Sequence, residues 1–235
     1  MATTMIEHSH TDPRALSTLA KVDVLVVDAA LPRVRIGYIG GGNDRVDHWL
    51  AQLGFEVVTL DDADLSSDIR LAEFDTILIG IFALKFRGNL PAEMPRLHQW
   101  CQMGGTLVTL YHRPWDNWDA EATAPAKLEI GQPSLRWRVT DEAAEVTHLA
   151  QHEALSTPNE ITASDWAGWH KERGLYFAKA WDDAYTPLLE MSDPDEAPHR
   201  GALLTADIGQ GRHTHCALIL HHQMEKLTPG ASTDP

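Results

Sequence analysis

The sequence predicts an α/β protein in which a doubly wound, mostly parallel sheet is followed by a β-rich second half. Between residues 33 and 110, short apolar runs rich in β-branched residues alternate with helical patterns. That alternation is typical of parallel strands joined by crossover helices. From about residue 125, further strand-like runs follow one another without long helices between them. The first half is therefore expected to be flavodoxin-like.

Four strands and two helices account for the first half. The strand-like runs are VRIGYIG, FEVVTL, FDTILIGIF and GTLVTLY. One helix is predicted over Asp44–Leu53, where apolar residues recur at helical spacing and Gly54 takes the usual position past a helix end. The other is predicted over Pro91–Met103. Before the first strand, residues 22–32 are predicted to form a short extended segment.

Five strand-like runs make up the second half. They are KLEIGQPSLRWRV, GLYFAKAW, YTPLLEM, GALLTADI and HTHCALIL. The turn IGQGRH between the last two predicts a hairpin in which Gly209 and Gly211 supply positive φ. We expect one domain over residues 22–230, a flexible polar segment over 1–21 and a frayed tail over 231–235.

Composition narrows the classes of function. The 34 acidic residues against 19 basic ones give a formal charge of −15, which repels phosphate backbones and anionic lipid. We therefore expect neither nucleic acid nor a membrane as a partner. No apolar run approaches the roughly 20 residues that cross a bilayer, and the first residues lack the build of a signal peptide. Two cysteines, Cys101 and Cys216, fit a reducing compartment, so a cytoplasmic location is expected.

The stretch IGGGND after the first strand raises the question of a phosphate cradle. A dinucleotide fingerprint needs Gly-x-Gly-x-x-Gly. Gly40 and Gly42 match its first pair, whereas Arg45 stands where the third glycine belongs. We favour a tight turn whose helix is capped by Asn43 or Asp44. Ligands still meet such sheets at the carboxyl ends of strands. The candidate ligand-binding residues of this loop are Gly41, Gly42 and Asn43.

The loop LYHRPWDNWD, residues 110–119, follows the fourth strand directly and lies on the same crevice. Tryptophan faces flanked by Asp, Asn and Arg suit a sugar, and Trp, Tyr and Arg are also hot-spot residues between proteins. Packing of a long loop is a third interpretation. The candidate ligand-binding residues here are Tyr111, His112, Arg113 and Trp115. The candidates for a general acid and base are His112, Asp116 and Glu172, although no spacing demands that role.

Thirteen histidines raise the question of a metal site. None of them has the His-Glu-x-x-His or Cys/His spacing that makes a zinc site specific. Strand alternation puts His213 and His215 on one face, which allows a weak metal site there, but without a specific spacing we disfavour it. Cys216 points to the opposite face, which argues against a Cys–His dyad. We assign no metal.

Several blocks of the sequence resemble a known family. They are IGYIGGGNDRV, FDTILIGIFALKFR, GGTLVTLYH, GQGRHTHCALIL and, most specific of all, DWAGWHKERGLYF. Together they resemble the C-terminal region of long PIG-L family deacetylases. That region is similar to class I glutamine amidotransferase-like domains, to ThuA-like proteins and to β-galactosidase trimerisation domains. The resemblance covers roughly residues 22–230 and implies a flavodoxin-like fold.

The resemblance brings no catalytic site with it. PIG-L deacetylases carry their zinc ligands in a separate domain marked by His-Pro-Asp-Asp, which this sequence lacks; the lookalike at residues 192–196 is expected to be a turn. Amidotransferase relatives place a nucleophilic Cys on a turn after a central strand, where this chain has Tyr111 and His112. We expect no cofactor. The resemblance adds three candidate ligand-binding residues, which are Arg87, Trp169 and Arg173.

Three interpretations of function follow. The preferred one is a non-catalytic amidotransferase-like accessory module associated with PIG-L type deacetylases, in contact with a carbohydrate or a protein partner. The second is a hydrolase that acts on a sugar or amide bond through the crevice at residues 111–119. The third is a structural oligomerisation domain. Relatives continue with an apolar helix after the equivalent of residues 229–231, so we expect an exposed apolar face that favours a homo-oligomer.

Overall fold

The computed structural model describes residues 1–20 and 29–228 of the chain. The strands are β1 (Ala2–His8), β2 (Thr11–Thr18), β3 (Arg35–Ile39), β4 (Glu56–Thr59), β5 (Thr76–Ile79), β6 (Thr106–Leu110), β7 (Leu128–Ile130), β8 (Arg138–Val139), β9 (Thr147–His148), β10 (Gly174–Leu175), β11 (Ala178–Trp181), β12 (Thr186–Pro187), β13 (Leu189–Glu190), β14 (Leu203–Ile208) and β15 (Gly211–Cys216). The α-helices are α1 (Val46–Leu53), α2 (Asp62–Leu65), α3 (Asp68–Leu71), α4 (Ala83–Phe86), α5 (Leu90–Gln102) and α6 (Leu220–Lys226). Short 3₁₀ turns lie at Pro133–Leu135, Glu153–Leu155 and Ala163–Trp166.

A seven-stranded sheet forms the centre of the fold, in the order β12-β14-β15-β6-β5-β3-β4. The strands β15, β6, β5, β3 and β4 are parallel, and β14 and β12 extend the sheet by antiparallel pairing. This confirms the mostly parallel, flavodoxin-like sheet. Three separate antiparallel pairs, β7 with β11, β8 with β10 and β9 with β13, form the additional β-rich part that the sequence predicts.

Apolar side chains form one core on each face of this sheet. Ile77 and Ile79 of β5 belong to the first core, which α2 to α5 cover, whereas Leu78 belongs to the second. Successive residues of a strand point to opposite faces, so a strand that is apolar at every position must be covered on both sides. Helix α1 and most of the β-rich part supply the second cover.

Glycines end the predicted helices and form the predicted hairpin. Gly54 closes α1 with φ 111°, and Gly104 follows α5 with φ 125°. The β14–β15 hairpin is confirmed, and Gly209 in its turn has φ 63°. The prediction for Gly211 is wrong, because its φ is not positive. Gly211 is needed for close packing instead: a Cβ there would lie 2.0 Å from the carbonyl oxygen of Cys101.

Two segments differ from the sequence predictions. The predicted strand HTHCALIL ends at Cys216, and α6 begins at Leu220. Residues 2–18, expected to be loose, form the antiparallel hairpin of β1 and β2, in which every side chain is exposed. Its backbone groups pair across the hairpin although no apolar face is buried. The predicted extended segment lies largely outside the described residues, and the tail at 231–235 lies wholly outside them.

No helix within residues 1–20 and 29–228 combines the length and the hydrophobicity that crossing a bilayer requires.

Three histidines are completely buried beside the sheet, namely His112, His213 and His215. His213 hydrogen-bonds through Nε2 to Thr109 Oγ1 (3.1 Å) and through Nδ1 to Tyr185 Oη (2.7 Å). Neither ring nitrogen of His215 has a hydrogen-bond partner among the described residues. Burial lowers the pKa of His112 to about 4 and that of His215 to about 3, and it lowers the pKa of His213 well below its ordinary value. All three rings are therefore neutral at pH 7.

We predict that the free energy of unfolding falls as the pH drops below about 6.5. The unfolded chain binds protons on these histidines there and the folded chain does not, so each contributes a loss of up to about 1.4 kcal/mol per pH unit until its folded pKa is reached. Urea unfolding between about pH 7.5 and about pH 5 measures the slope. His215→Leu should flatten it, and a slope that this variant leaves unchanged would contradict the assignment.

Candidate binding site at the carboxyl edge of the sheet

The loops after β3, β5 and β6 meet at one edge of the sheet, and Asp44 joins the first two. Its Oδ1 accepts hydrogen bonds from the Tyr38 hydroxyl (2.5 Å) and the Val46 N–H (3.0 Å), and its Oδ2 accepts one from the Ile81 N–H (2.8 Å). Burial and the Asp44 carboxylate both raise the pKa of Tyr38. Asp44 thus holds the start of α1, the last-but-one residue of β3 and the chain after β5 together.

The glycine run forms the predicted tight turn, but the N-cap of α1 is Arg45 and not the predicted Asn43 or Asp44. Gly42 has φ 77°, and a side chain there would meet open space. A Cβ on Gly41 would lie 2.9 Å from Ala83 Cα, so the start of α4 packs directly on the turn. The Asn43 amide donates to the Gly41 carbonyl (3.0 Å). Gly41 and Asn43 therefore fix the turn against its neighbour, and no third glycine opens a cradle.

An aromatic cluster lies where β5 and β6 end. The ring of Tyr111 lies 5.4 Å from that of Phe82 and 6.0 Å from that of Tyr176, and the ring of Trp115 lies 6.0 Å from Tyr176. The Arg113 guanidinium stacks over Phe82 at 4.5 Å. Tyr111 is buried, whereas Trp115 is 57% exposed. We call this cluster, Phe82, Tyr111, Arg113, Trp115 and Tyr176, the aromatic edge.

Two members of the aromatic edge have a left-handed backbone. Phe82 has φ 57° and Tyr176 has φ 58°, and their rings lie 5.9 Å apart. A bulky residue adopts this conformation rarely, at a cost on the order of 1–3 kcal/mol. Such strain persists only where the surroundings fix it, and it clusters at binding and catalytic sites. The backbone itself thus marks this edge as a candidate functional site.

His112 and Asp116 support the aromatic edge from inside the protein. The buried His112 donates from Nδ1 to the Leu110 carbonyl (2.8 Å) and accepts at Nε2 from the Leu84 N–H (3.3 Å). Asp116 is buried and pairs with Arg113. With both imidazole nitrogens engaged, His112 cannot exchange a proton with a substrate or contact a ligand. The geometry therefore does not fit the predicted acid–base roles of His112 and Asp116, and Asp116 positions Arg113 instead.

Glu172 and His221 lie beside Tyr111, the buried member of the aromatic edge. Glu172 is half-buried, and burial raises its pKa. Burial also raises the pKa of Tyr111 and of Tyr176, and the nearby Glu172 charge adds to both shifts. The ring of His221 lies 5.9 Å from Tyr111, and its buried Nδ1 has no partner among the described residues. Burial lowers the pKa of His221 to about 4.

Sequence reasoning missed His221, Phe82 and Tyr176 as members of this site. His221 follows strand β15 closely, and this position could have indicated it. The sequence analysis placed that strand in the β-rich half, whereas β15 pairs with β6 in the parallel sheet. Parallel strands bring their carboxyl ends to one edge, so a strand placed in the wrong sheet hides the residues that follow it.

Three predicted ligand-binding residues lie elsewhere in the fold. Arg87 pairs with Asp62 after β4. Trp169 and Arg173 are buried, and the Arg173 guanidinium donates three hydrogen bonds of 2.6 to 3.0 Å to two backbone carbonyls. The Trp169 indole N–H donates to the Asp165 carbonyl (2.9 Å). Their donors are used within the protein, so the structure places Trp169 and Arg173 in a supporting role.

Within the described ranges, no group of three or more His, Cys, Asp or Glu side chains is arranged to hold a metal ion. His215 and Cys216 lie on opposite faces of β15, since His215 contacts Trp118 on the side of the first core and Cys216 belongs to the second. Burial raises the pKa of both Cys101 and Cys216 to about 11, so neither thiol is a ready nucleophile.

No protein-family model matches the sequence, and no curated protein matches it. Among solved structures, the chain is similar to a ThuA-like protein from Bacteroides uniformis, with 13% identity, a TM-score of 0.52 and 90% of each chain covered. It is also similar to cytoplasmic protein STM1381 from Salmonella typhimurium, with 10% identity, a TM-score of 0.51, 98% of this chain covered and 91% of that one. At such identities the similarity shows the fold alone. The chain shares its α/β fold with this ThuA-like protein and with STM1381.

We predict that Asp44→Ala lowers the free energy of unfolding by about 1–3 kcal/mol, because it leaves a tyrosine hydroxyl and two backbone N–H groups without their acceptor. Urea unfolding followed by tryptophan fluorescence measures the loss. Asp183→Ala is the matched control, because Asp183 is exposed. A loss no greater than that of the control would show that Asp44 does not hold the edge together.

Proposed function

We propose that the chain is a non-catalytic, amidotransferase-like accessory module that acts with a PIG-L type deacetylase. One observation carries the proposal: directly after β6, where amidotransferase relatives are expected to carry their nucleophile, this chain has buried residues, and the residue of the same loop that faces outwards is Trp115. The chain after β6 begins with the buried Tyr111 and with His112, whose two nitrogens are engaged inside the protein. The edge is therefore built to contact another molecule rather than to activate a nucleophile.

The make-up of the aromatic edge suits a protein surface. Tryptophan, tyrosine and arginine are the residues that most often dominate binding energy between proteins. Asp116 holds Arg113 against Phe82, and Trp115 projects beside them, so the surface is ordered before a partner arrives. We infer that the aromatic edge binds the deacetylase. A deacetylase is chosen as the partner because several blocks of the sequence resemble PIG-L proteins. A carbohydrate is the other ligand that the same chemistry accepts.

We predict that Trp115→Ala weakens binding to a PIG-L type deacetylase from the same genome by about tenfold or more, because it removes the exposed centre of the aromatic edge. Biolayer interferometry with the purified deacetylase measures the affinity. Met103→Ala is the control, since Met103 is 65% exposed and precedes β6, at the opposite edge of the sheet. Equal affinities for the two variants, or no binding by the unmodified chain, would overturn the assignment.

A cytoplasmic location and a homo-oligomer complete the proposal. Cys101 and Cys216 are free thiols, as a reducing compartment favours. The homo-oligomer is proposed from the resemblance to β-galactosidase trimerisation domains. We expect light scattering to show a dimer or a larger assembly at concentrations from about 1 to about 50 µM. A monomer throughout that concentration range would contradict the proposed homo-oligomer.

A hydrolase acting on a sugar or amide bond is the second candidate, and Glu172 favours it. A half-buried carboxyl with a raised pKa beside a strained aromatic edge is a feature of acid–base sites. The test is release of free amine from N-acetylated amino sugars, with and without added Zn²⁺. The accessory module should show no turnover. Turnover that Glu172→Gln abolishes and Trp115→Ala preserves would replace the accessory function with the hydrolase.

A further inference from the structure

A cavity of about 720 Å³ opens in the β-rich half, between residues 135–137 and residues 195–200. Residues of β11 form its floor, and Trp137 and Trp181 line it. A second depression of about 330 Å³ adjoins it, because Leu135, Trp137 and Lys179 line both. We call the two together the tryptophan groove. None of the five residues of the aromatic edge lines the groove, but Pro114, which lies between Arg113 and Trp115, lines the second depression.

Trp137 is fixed between the two depressions. A Cβ on Gly131 would lie 2.2 Å from Trp137 Cγ, so the indole lies directly on the Gly131 backbone. The Trp137 carbonyl accepts a hydrogen bond from the Phe177 N–H (3.1 Å), and the His199 ring lies 5.4 Å from the indole. An aromatic surface that is already ordered binds a ligand at a smaller entropic cost.

Asp193 ties the two walls of the groove together. This buried carboxylate accepts hydrogen bonds from the N–H groups of Thr140 and Asp141 (2.7 Å each) and from the Arg138 guanidinium (2.6 Å). It therefore joins the chain after Trp137 to the turn that leads to His199. The groove is a built feature of the fold and not a gap between loose loops.

The turns that form the walls are strained, and their charges are paired. Arg136 has φ 68° on one wall and Asp195 has φ 61° on the other. Three cations at the groove have acidic partners. They are Arg136 with Glu196, Lys179 with Glu129 (2.7 Å) and Arg200 with Glu190 (2.6 Å). Because these charges cancel in pairs, the groove offers hydrogen-bonding groups without a strong field that would select an ion.

We propose that the tryptophan groove binds a neutral oligosaccharide of two or more rings. The indole surface that Trp137 and Trp181 contribute to the lining suits the apolar C–H faces of pyranose rings, and the paired ionic groups at the rim suit hydroxyls. A volume of about 720 Å³ lies in the range of small-molecule sites. The second depression beyond Trp137 gives room for a further ring.

The test uses the full chain labelled with 5-fluorotryptophan and followed by ¹⁹F NMR. The chain has eight tryptophans, and single tryptophan variants assign the signals of Trp115, Trp137 and Trp181. Cellobiose, N,N′-diacetylchitobiose, maltose and mannobiose are titrated to about 20 mM, which detects even millimolar affinity. At least one should shift the Trp137 and Trp181 signals and leave the Trp115 signal in place. Trp137→Ala should weaken that binding about tenfold or more, and Trp115→Ala should bind like the unmodified chain.

Lys179→Ala provides a second variant, because Lys179 is exposed at the rim and its loss should weaken binding without disturbing the core. No shift with any of the four sugars overturns the proposal. So does a shift of Trp115 alone, which would move carbohydrate binding to the aromatic edge. Tighter binding of a uronic acid disaccharide than of its neutral counterpart, in the same titration, would contradict the proposal that the ligand is neutral. Binding to the deacetylase is measured separately, so failure of one proposal leaves the other standing.

Discussion

The parallel pairing of β15 with β6 is the constraint on which the rest of the structure depends. These strands come from opposite halves of the chain, and they pair from Arg212 opposite Thr106 to Cys216 opposite Leu110. The approach is so close that Gly211 packs against backbone carbonyl oxygens of Cys101 and Gly105. The pairing makes one sheet of the two halves, and it brings residues from both to the same carboxyl edge.

The polar groups at that edge are used mostly to hold the protein together. Asp44 binds three partners from separate segments, His112 engages both nitrogens, and Asp116 holds Arg113. What remains at the edge is the exposed Trp115 and, beside Tyr111, the half-buried Glu172. The carboxyl edge, where ligands meet sheets of this kind, is therefore a candidate binding site whose polar groups are mostly engaged inside the protein.

Local patterns in the sequence predicted the parallel half of the fold, and long-range contacts explain most of what they missed. The three buried residues of β5, 77–79, are all apolar, and Gly54 and Gly104 follow their helices, so these elements are visible within a few residues. The partner of β15 lies about a hundred residues away, and no local pattern encodes it. Helices of four residues, α2 to α4, are too short to show a period.

For the candidate site, the sequence correctly located Trp115 at the carboxyl edge of the sheet. It could not show that the guanidinium of Arg173 donates its hydrogen bonds to backbone carbonyls within the protein.

The contact between Gly131 and Trp137 couples two positions of the sequence. The indole occupies the space that any side chain at position 131 would need, so one position can enlarge only if the other shrinks. A methyl group added at Gly131 would displace the ring and close or reshape the groove without altering any residue that lines its larger cavity. Substitution of Gly131 is therefore a route by which a homologue would lose or change the groove while keeping the fold.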